Sequence, residues 1–597
     1  MRFRLLATLL LVACGASTPP PENGGSSHAA AGPAWNEWSQ AAFERARQEQ
    51  RPILLSVQAG WCHWCHVMND TTYRDRGVLE KLEGFVMIRV DADARPDLME
   101  RYRRWGWPAT VFLRPDGERI LALRGFRDGP TFQRVLDEVS AAHRDGRALE
   151  ETTEPRANAD LDAVREGLLS QLDGMYDEEA GGWGRRQRYP FAEPVEHALY
   201  RATVRGEDTW RRRALFSLER YAALIDPVWG GMYQYSVGGV WDRPHFEKIV
   251  PVQAGALRTF AEAYRLTGDA RWREHANAVR GYLREFLRSE DGAFYASQDA
   301  DLGGHGQSGS SMPGDAFYAL DDAGRRAMGA PRVDTHVYAS MNGQLIEALA
   351  LLSRATGERA PLSEATRAMA RIHATHFDAE TGLYRHDGSS ADPLRYLADQ
   401  AFVLRALVAL EQVTQQASYR ERAVALAAAT RTHLEAADGG FYAHTEDPRS
   451  GGFFERRIPV AENAAMARGL MVLSRLAEND ALVEVAANAL RAAADPSELR
   501  SLGRMVGDFL LALEELEAGH VVLSVVGPDT PETQALFAAA QSFDDPRALV
   551  ELGRPGASRY PYPGEPAVFL CSGEACSMPV SEPAALEAAA RAFLASE

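Results

Sequence analysis

The stretch Ile53-Leu54-Leu55-Ser56-Val57-Gln58-Ala59-Gly60-Trp61-Cys62-His63-Trp64-Cys65 decides the fold of the first domain. An apolar run of strand length is followed by a Gly turn and then by two cysteines with two residues between them. Helical periodicity begins at Cys65 and continues to Leu82. The stretch therefore predicts a buried strand that passes into a helix, with a dithiol at the junction.

The elements on either side of this stretch complete a known order. They are a helix at 36–50, then a strand at 85–90, a helix at 96–104, a strand at 109–113, a hairpin turn at 115–117, a strand at 119–123 and a helix at 129–143. This order, α-β-α-β-α-β-β-α, is that of the thioredoxin fold, and Pro108 stands where that fold has a cis proline opposite the dithiol. Residues 35–150 are therefore predicted to form an α/β thioredoxin-like domain.

Between residues 157 and 518 the pattern becomes helical. A Gly-aromatic turn recurs, as in Gly181-Gly182-Trp183 and Gly439-Gly440-Phe441. About twelve amphipathic helices lie near 160–175, 193–204, 209–225, 252–266, 270–288, 341–355, 362–376, 396–414, 418–435, 462–476, 480–493 and 497–517. Repeated helix pairs predict an all-α (α/α)6 toroid of the six-hairpin glycosidase type, with an irregular solenoid as the alternative. Residues 519–597 return to strands and helices, which predicts a small α/β C-terminal segment.

The N-terminus indicates an export signal. Arg2 and Arg4 precede an apolar run that ends in Leu11-Val12-Ala13-Cys14, which resembles a bacterial lipobox. We expect residues 1–14 to be a lipoprotein signal with Cys14 as the lipidated residue, and residues 15–34 to be a flexible linker. The alternative is a plain secretory signal with an incidental cysteine. The predicted location is the bacterial cell envelope, with membrane attachment only through the lipid.

Composition excludes one class of partner. The formal net charge is −18 and the basic residues form no cluster, so a nucleic-acid-binding surface is not expected. Apart from Cys14, the four cysteines form two closely spaced pairs, which suits an oxidising compartment.

The first pair carries the strongest chemical signal. A cysteine at a helix N-terminus has a lowered pKa because the helix dipole and the free N–H groups stabilise a thiolate. We predict an exposed Cys62 as the attacking nucleophile, Cys65 as the resolving thiol, His63 as a modulator of the Cys62 pKa, and Pro108 facing the pair. Thioredoxins carry a buried acid six residues before the first cysteine, and this chain has Ser56 there.

Three other interpretations of the pair stay open. Cys62-His63-Trp64-Cys65-His66 also satisfies the c-type haem attachment pattern. Its cysteines and histidines could bind zinc, although closely consecutive ligands strain a tetrahedron. The pair could also be a purely structural disulfide. The strand before it and the proline after it favour redox chemistry, so we predict no cofactor and no metal.

The toroid contributes a second set of candidates in its inter-helix loops. Toroids often place carboxylates and aromatic side chains at one mouth, where sugars stack and acids protonate glycosidic oxygens. The candidates of this type are Trp241, Asp242, His245, Glu247, Asp299, Asp301 and Asp399. For any single one of them, helix capping is the competing role. Near the C-terminus, Cys571 and Cys576 predict either a local disulfide or, more remotely, a relay partner for the first pair.

These motifs together resemble the spermatogenesis-associated protein 20 type of thioredoxin-domain proteins. The resemblance rests on Trp61–His66, Arg95-Pro96-Asp97, Gly106-Trp107-Pro108, Tyr235-Ser236-Val237, Pro244-His245-Phe246-Glu247-Lys248, Asp299-Ala300-Asp301, Asn342-Gly343 and the last two cysteines. It implies a thioredoxin-like domain fused to an (α/α)6 barrel akin to N-acylglucosamine 2-epimerases and six-hairpin glycosidases. The chain differs from the family at Pro251-Val252-Gln253, where a Tyr-Asp-Asn segment is usual, and at Gln298, where an acid is usual.

Three functions follow as hypotheses. The first is a thiol–disulfide oxidoreductase whose protein or small-molecule client is bound by the barrel. The second is carbohydrate processing or binding by the barrel, with a structural thioredoxin domain. The third is a binding protein without catalysis.

Overall fold

The computed structural model describes residues 32–102, 106–149, 160–303, 312–389, 392–437, 439–447, 456–573 and 575–595. The predicted signal, Cys14 and most of the linker lie outside them. The first domain consists of α1 (Gln40–Glu49), β1 (Ile53–Gln58), α2 (His63–Asp70), α3 (Arg76–Leu82), β2 (Val86–Asp91), α4 (Pro96–Tyr102), β3 (Ala109–Leu113), β4 (Arg119–Arg124) and α5 (Gly129–Arg144).

The sheet of this domain has the strand order β2-β1-β3-β4. β1 pairs in parallel with β2 and antiparallel with β3, with Ile53 opposite Val86 on one side and Leu113 on the other. All six residues of β1 are buried, as expected for a central strand covered on both faces. The thioredoxin-like fold is confirmed, and the Trp107–Pro108 bond before β3 is cis, as predicted.

The segment 65–82 was expected to form one helix, and it forms two. A short 3-10 turn, Thr72–Arg74, separates α2 from α3. Asp75 then acts as a new N-cap, because its carboxylate accepts a hydrogen bond from the Val78 N–H at 2.9 Å. A local side-chain cap thus overrides a continuous hydrophobic pattern.

The middle of the chain is helical. Its helices are α6 (Leu161–Met175), α7 (Ala192–Val204), α8 (Asp208–Tyr221), α9 (Val250–Thr267), α10 (Ala270–Tyr282), α11 (Gly314–Tyr318), α12 (Asp322–Met328), α13 (Ala339–Thr356), α14 (Arg359–His376), α15 (Leu397–Thr414), α16 (Ala417–Leu434), α17 (Val460–Leu476), α18 (Ala481–Ala493), α19 (Pro496–Leu502) and α20 (Gly507–Ala518). Its short strands are β5 (Tyr235–Ser236), β6 (Pro244–His245), β7 (Lys248–Ile249), β8 (Ser297–Gln298), β9 (Val333–Asp334), β10 (Phe377–Asp378) and β11 (Leu383–Tyr384). The predicted helix at 497–517 is divided between α19 and α20.

These helices close into a double ring. The inner ring runs α7, α9, α13, α15, α17 and α20, and α20 packs back on α7. The outer helices α8, α10, α14, α16, α18 and α6 each pack mainly on one inner helix. Six inner and six outer helices in a closed ring confirm the (α/α)6 toroid.

Side-chain amides at the start of inner helices hold the Gly-aromatic turns. The Asn342 amide accepts from the Phe294 N–H and donates to the Phe294 carbonyl, both at 2.9 Å. Gln253 makes the same pair of bonds with Met232, both at 2.7 Å. The same clamp joins Gln400 to Tyr384 and Asn463 to Phe441. The Gln253 that departs from the family pattern therefore fills a structural position.

The C-terminal segment contains β12 (Val521–Val526), α21 (Pro531–Ser542), β13 (Ala548–Gly553), β14 (Ala567–Ser572), β15 (Ala575–Cys576) and α22 (Leu586–Leu594). Its strand order is β13-β12-β14-β15, with β12 parallel to β13 and antiparallel to β14. This order and these orientations repeat those of the first sheet. The predicted small α/β segment is thus a reduced second copy of the thioredoxin-like topology. Within the described ranges, the helices are all too short or too polar to cross a membrane.

Candidate functional site

The dithiol lies at the N-terminus of α2, where the sequence placed it. Cys62 and Cys65 form a disulfide, and Cys62 is the N-cap of the helix. The Cys62 sulfur accepts a hydrogen bond from the Cys65 N–H at 3.1 Å. A sulfur so placed sits in the positive field of the helix end, which favours a thiolate after reduction.

The expected exposure of Cys62 is wrong. Only 3% of Cys62 and none of Cys65 is accessible to solvent. Both cysteines belong to the core of the first domain, and loops of the toroid before α9 and between α10 and α13 contact the N-terminus of α2. Sequence reasoning treated the two domains separately and could not anticipate this cover.

The cover includes two residues that the sequence predicted for the barrel mouth, Asp301 and Glu247. His63 Nδ1 lies 2.6 Å from Asp301 Oδ2. The His63 backbone N–H donates to Glu247 Oε1 at 3.4 Å, so a barrel carboxyl caps the helix that carries the dithiol. Arg332 donates to the Gly60 carbonyl at 2.9 Å. The predicted dithiol residues and the predicted barrel acids therefore form one site, which we call the junction site: Cys62, His63, Cys65, Glu247, Asp299 and Asp301.

Burial raises the pKa of two junction carboxyls and so makes them unusually weak acids. It raises the pKa of Glu247 to about 7, and the nearby charge of Asp299 adds to this effect. It also raises the pKa of Asp299 to about 7, with repulsion from Asp301 as a further cause. The second oxygen of Glu247, Oε2, is buried and has no hydrogen-bond partner. Both carboxyls therefore exchange protons near neutral pH, which is the range useful for acid–base chemistry.

The pKa values of His63 and of the neighbouring His245 shift in opposite directions. Burial lowers the pKa of His63, but the hydrogen bond and the charge of Asp301 outweigh it, so the net shift is upward. Burial, together with the charge of His63, lowers the pKa of His245 to about 4. His63 was expected to modulate the pKa of the Cys62 thiol. Its partner Asp301 offsets much of the positive charge of His63.

Aromatic rings form one wall of the junction site. Tyr235 stacks on His245 with ring centres 4.3 Å apart, and Tyr189 stacks on Tyr235 at 4.7 Å. Trp64 leans over His245 at 6.3 Å and is 38% exposed. The Tyr235 ring is thus stacked between Tyr189 and His245 and is buried, so this stack supports the site by packing.

Asp399 belongs to a separate line of contacts between the two domains. Its Oδ1 lies 2.9 Å from His386 Nδ1, and His386 Nε2 lies 2.6 Å from the Asp93 carbonyl oxygen. The Asp93 carboxyl in turn accepts from Trp61 Nε1 at 2.7 Å. Burial raises the pKa of Asp93 to about 7. Asp93 is thus a buried acid beside the dithiol that the sequence analysis missed, and the acidic pair around Ala92 after β2 was its only signal.

Two predicted barrel residues lie elsewhere. Trp241 packs on Tyr221 and donates to the Ala180 carbonyl at 2.8 Å, so it supports a Gly turn of the toroid. Asp242 is exposed to solvent. Both residues lie in the loop of the β5–β6 hairpin, whereas His245 lies in β6.

Lys248, the last residue of the Pro-His-Phe-Glu-Lys string, is also structural. It is fully buried and donates to Asp226 at 2.8 Å, and Arg325 binds the same oxygen at 2.7 Å. The two last residues of the string therefore have different roles. Glu247 belongs to the junction site, and Lys248 holds β7 to Asp226.

The second cysteine pair is remote from the first. Cys571 and Cys576 form a disulfide between β14 and β15. The two thioredoxin-like units connect to opposite ends of α15. The first does so through His386, which joins the Asp93 carbonyl to Asp399 near the start of the helix, and the C-terminal one through Gln412 and Gln415 at its end. An 18-residue helix is roughly 27 Å long, which rules out direct exchange between the two disulfides in this arrangement.

In the part of the chain that the structure describes, no group of three or more His, Cys, Asp or Glu side chains has the arrangement of a metal site. The short contact between His63 and Asp301 is accounted for by their mutual hydrogen bond.

Comparison with known proteins supports the family resemblance. Residues 26–160 match the family model Thioredox_DsbH, described as a protein of unknown function, DUF255. Human spermatogenesis-associated protein 20 is 30% identical over 308 residues, which cover 45% of this chain and 39% of that protein. The resemblance to the spermatogenesis-associated protein 20 type is confirmed. An uncharacterized protein of Caenorhabditis elegans is 28% identical over 305 residues, 45% of this chain and 41% of that protein.

The matched segments thus span about two fifths of the length of those relatives. The first domain of this chain is also similar to the thiol:disulfide interchange protein DsbD 1 of Pseudomonas aeruginosa, with 32% identity over 106 residues, 17% of this chain and 16% of that protein. Among solved structures, a cellobiose 2-epimerase of Bacillus thermoamylovorans matches with 12% identity and a TM-score of 0.43, over 55% of this chain and 85% of that one. A family 76 glycoside hydrolase of Bacteroides thetaiotaomicron matches with 12% identity and a TM-score of 0.42, over 60% and 99%.

The raised carboxyl pKa values predict that stability falls as pH rises. Glu247 and Asp299 keep a proton in the folded protein up to a pKa of about 7, whereas the unfolded chain loses it near 4. Their contribution is therefore fully present below about pH 4 and is lost as pH rises through 7. The raised pKa of His63 acts in the same direction. We expect the apparent melting temperature to fall between pH 5 and 8, and Glu247→Gln to make that fall smaller.

The control for this measurement is Asp242→Asn, an exposed aspartate of the same loop. It should leave the pH profile of the melting temperature unchanged. A profile that is the same in wild type and in Glu247→Gln would contradict the assignment of the raised pKa.

Proposed function

We propose that this protein is a thiol–disulfide oxidoreductase whose dithiol works at the mouth of the barrel, on a client held between the two domains. The observation that carries the proposal is the junction site itself, in which His63 beside Cys62 contacts both Glu247 and Asp301 of the toroid. Similarity of the first domain to a thiol:disulfide interchange protein supports the redox part.

The exchange needs only the two cysteines and a client disulfide. The reduced Cys62 thiolate attacks one client sulfur, which forms a mixed disulfide and expels the other client sulfur as a thiolate. The Cys65 thiolate then attacks the Cys62 sulfur, so the client leaves with two electrons and the Cys62–Cys65 disulfide is formed. The reverse sequence oxidises a client dithiol.

The barrel acids bear on the direction of exchange. A carboxylate near Cys62 disfavours a thiolate there, so it stabilises the disulfide relative to the dithiol. Glu247 caps the same helix end, and it becomes ionised above pH 7. We therefore infer a site that donates electrons more readily as pH rises.

A redox titration with alkylation trapping tests the proposal. The protein is equilibrated in thiol–disulfide buffers of graded potential, and free thiols are then alkylated and located by mass. A single two-electron transition of Cys62 and Cys65 is expected. A pair that stays oxidised at every potential reached by dithiothreitol would be a structural bridge, and the proposal would fail.

A second candidate is carbohydrate processing at the same mouth. It is favoured by the two carboxyls with a pKa of about 7 beside the stacked wall of Tyr189, Tyr235 and His245. A screen of glycan and epimerase substrates with wild type, Glu247→Gln and Asp299→Asn tests it. Turnover that both variants retain in full would exclude these carboxyls as the acid and base.

We also propose that the protein works in the cell envelope, as a lipoprotein anchored at Cys14. The support is the Leu11-Val12-Ala13-Cys14 sequence. Expressed in a bacterium with labelled fatty acid, wild type should carry the label and sediment with membranes. Cys14→Ala should lose both properties, and equal labelling of the variant would contradict the anchor.

A further inference from the structure

A cavity lies at the end of the toroid opposite the junction site. It has a volume of about 170 Å³ and is lined by the last turns of all six inner helices and by the start of β13. A cavity of about 150 Å³ is sufficient for a benzene molecule. The space can therefore hold a small organic molecule, and it is separate from the dithiol.

The C-terminal segment forms the floor of this cavity and is hydrogen-bonded to the toroid. The Gln412 side chain accepts from the Val550 N–H at 2.8 Å, and the Gln415 side chain accepts from the Leu552 N–H at 2.9 Å. Gln415 also donates to the Val550 carbonyl at 3.0 Å. Two side chains of α15 thus extend the β13 edge, so the floor is a fixed part of the barrel.

The ceiling of the cavity is electrically balanced. It consists of three arginine–glutamate pairs from neighbouring inner helices: Arg258–Glu196 at 2.6 Å, Arg405–Glu347 at 2.9 Å and Arg468–Glu515 at 2.9 Å. The pairs leave Glu347 Oε2 buried without a hydrogen-bond partner. A negative group is therefore not favoured at this level.

The floor is different, because it has unused cationic donors. The Arg265 side chain is only 4% exposed, and its Nε and Nη2 atoms are buried without a hydrogen-bond partner. The nearest carboxylate oxygens, from Glu262 and Asp544, are 3.6 and 3.7 Å away, too far for hydrogen bonds. Buried donors of this kind cost free energy unless an acceptor reaches them.

Arg354 adds a second guanidinium group at the floor. It donates to the carbonyl oxygens of Gln541 and Ala548, both at 3.0 Å, and neither carries a full charge. Burial, with the charge of Arg265 as a further cause, lowers the pKa of Arg354 to about 9. On α13, Arg354 lies seven residues after Glu347, roughly 10 Å along the axis from the ceiling.

The walls between floor and ceiling are largely apolar. They include Leu199, Leu351, Val408, Val472, Leu511 and Leu549. An occupant thus meets two guanidinium groups, with the Glu262 carboxylate beside them, at one end and hydrocarbon along its length.

We propose that this cavity binds a small organic carboxylate with an apolar body, its carboxylate on Arg265 and Arg354 at the floor. Charge-assisted hydrogen bonds from guanidinium groups to a carboxylate satisfy the buried Arg265 donors. The apolar body fills the space between the leucine and valine walls. Nothing in this binding requires the dithiol.

Calorimetric titration of the full chain with benzoate tests the proposal. Benzoate and its neutral isostere benzamide have nearly the same shape, so their difference isolates the charge. We expect saturable binding of one benzoate per chain and at least tenfold weaker binding of benzamide. Arg265→Gln should weaken benzoate binding roughly tenfold or more. Leu351→Trp, which fills the cavity, should abolish binding although both arginines are retained.

Arg326→Gln, an exposed arginine of α12, is the matched control and should bind benzoate like wild type. Inorganic phosphate is tested as a competitor of benzoate. Competition that also depends on Arg265 would support an anion site and would identify a free inorganic ion as an alternative occupant. Equal affinity for benzoate and benzamide, or benzoate binding that survives both cavity variants, would overturn the proposal. Benzoate binding to Cys62→Ser, a variant without redox activity, distinguishes failure of the cavity proposal from failure of the redox function.

Discussion

Replacing Cys62 by serine is expected to reduce thiol–disulfide exchange to the uncatalysed background. Cys62 is the N-cap of α2, and its sulfur receives the Cys65 N–H, so it is the sulfur that the helix end stabilises as a thiolate. A hydroxyl in its place keeps the hydrogen-bond acceptor but cannot attack a disulfide under these conditions. The measurement is the rate at which the reduced protein reduces a small aromatic disulfide, followed by absorbance.

The second cysteine pair provides the matched control. Cys571→Ser with Cys576→Ser removes a disulfide of similar spacing from the far end of the molecule. This double variant should reduce the aromatic disulfide at the wild-type rate, because the helix length keeps the two pairs apart. Full activity in Cys62→Ser, or loss of activity in the double variant, would move the chemistry away from the junction site.

Most of the fold could be predicted from the sequence because its signals are local. The strand Ile53–Val57, the dithiol and the Pro-Asp-Gly turn each indicate their own element. The twelve helices of the toroid follow from periodicity and from repeated Gly-aromatic turns. The amide clamps that hold those turns were not anticipated, since Asn342 and Phe294 are 48 residues apart. Nor was the second thioredoxin-like topology, because strand order depends on pairing that no local pattern specifies.

The residue types of the candidate site could be predicted from the sequence, but not which of these residues meet in space. Glu247, Asp299 and Asp301 stood out as carboxylates in barrel loops. Their meeting with His63 spans 184 residues for Glu247 and 238 for Asp301. Such contacts depend on how two domains pack, and the same packing covers the helix end that carries Cys62. It also brings the Asp93 carbonyl to His386, 293 residues away, which the sequence did not indicate.

Loosening the junction is expected to expose the dithiol to large reductants. Cys62 is 3% accessible in the closed arrangement, so a protein dithiol needs the two domains to separate, whereas dithiothreitol needs a smaller opening. Asp301→Ala removes the 2.6 Å contact with His63. A hydrogen bond to a charged group contributes about 1.5–3 kcal/mol. We take the lower part of that range because His63 is partly exposed. A loss of this size corresponds to roughly tenfold more of the form in which the two domains are separated at the junction.

The measurement is the ratio of two reduction rates of the Cys62–Cys65 disulfide, by a thioredoxin-sized protein dithiol and by dithiothreitol. The ratio cancels changes in the intrinsic reactivity of Cys62, and it should rise about tenfold in Asp301→Ala while Asp242→Ala, on an exposed aspartate, leaves it at the wild-type value. A wild-type protein reduced equally fast by both reagents would mean that the toroid does not guard the dithiol. In that case the client would be a protein that meets α2 from outside, and the barrel acids would act without holding it. A ratio that rises as predicted would instead assign the toroid the role of selecting, by size, what reaches Cys62.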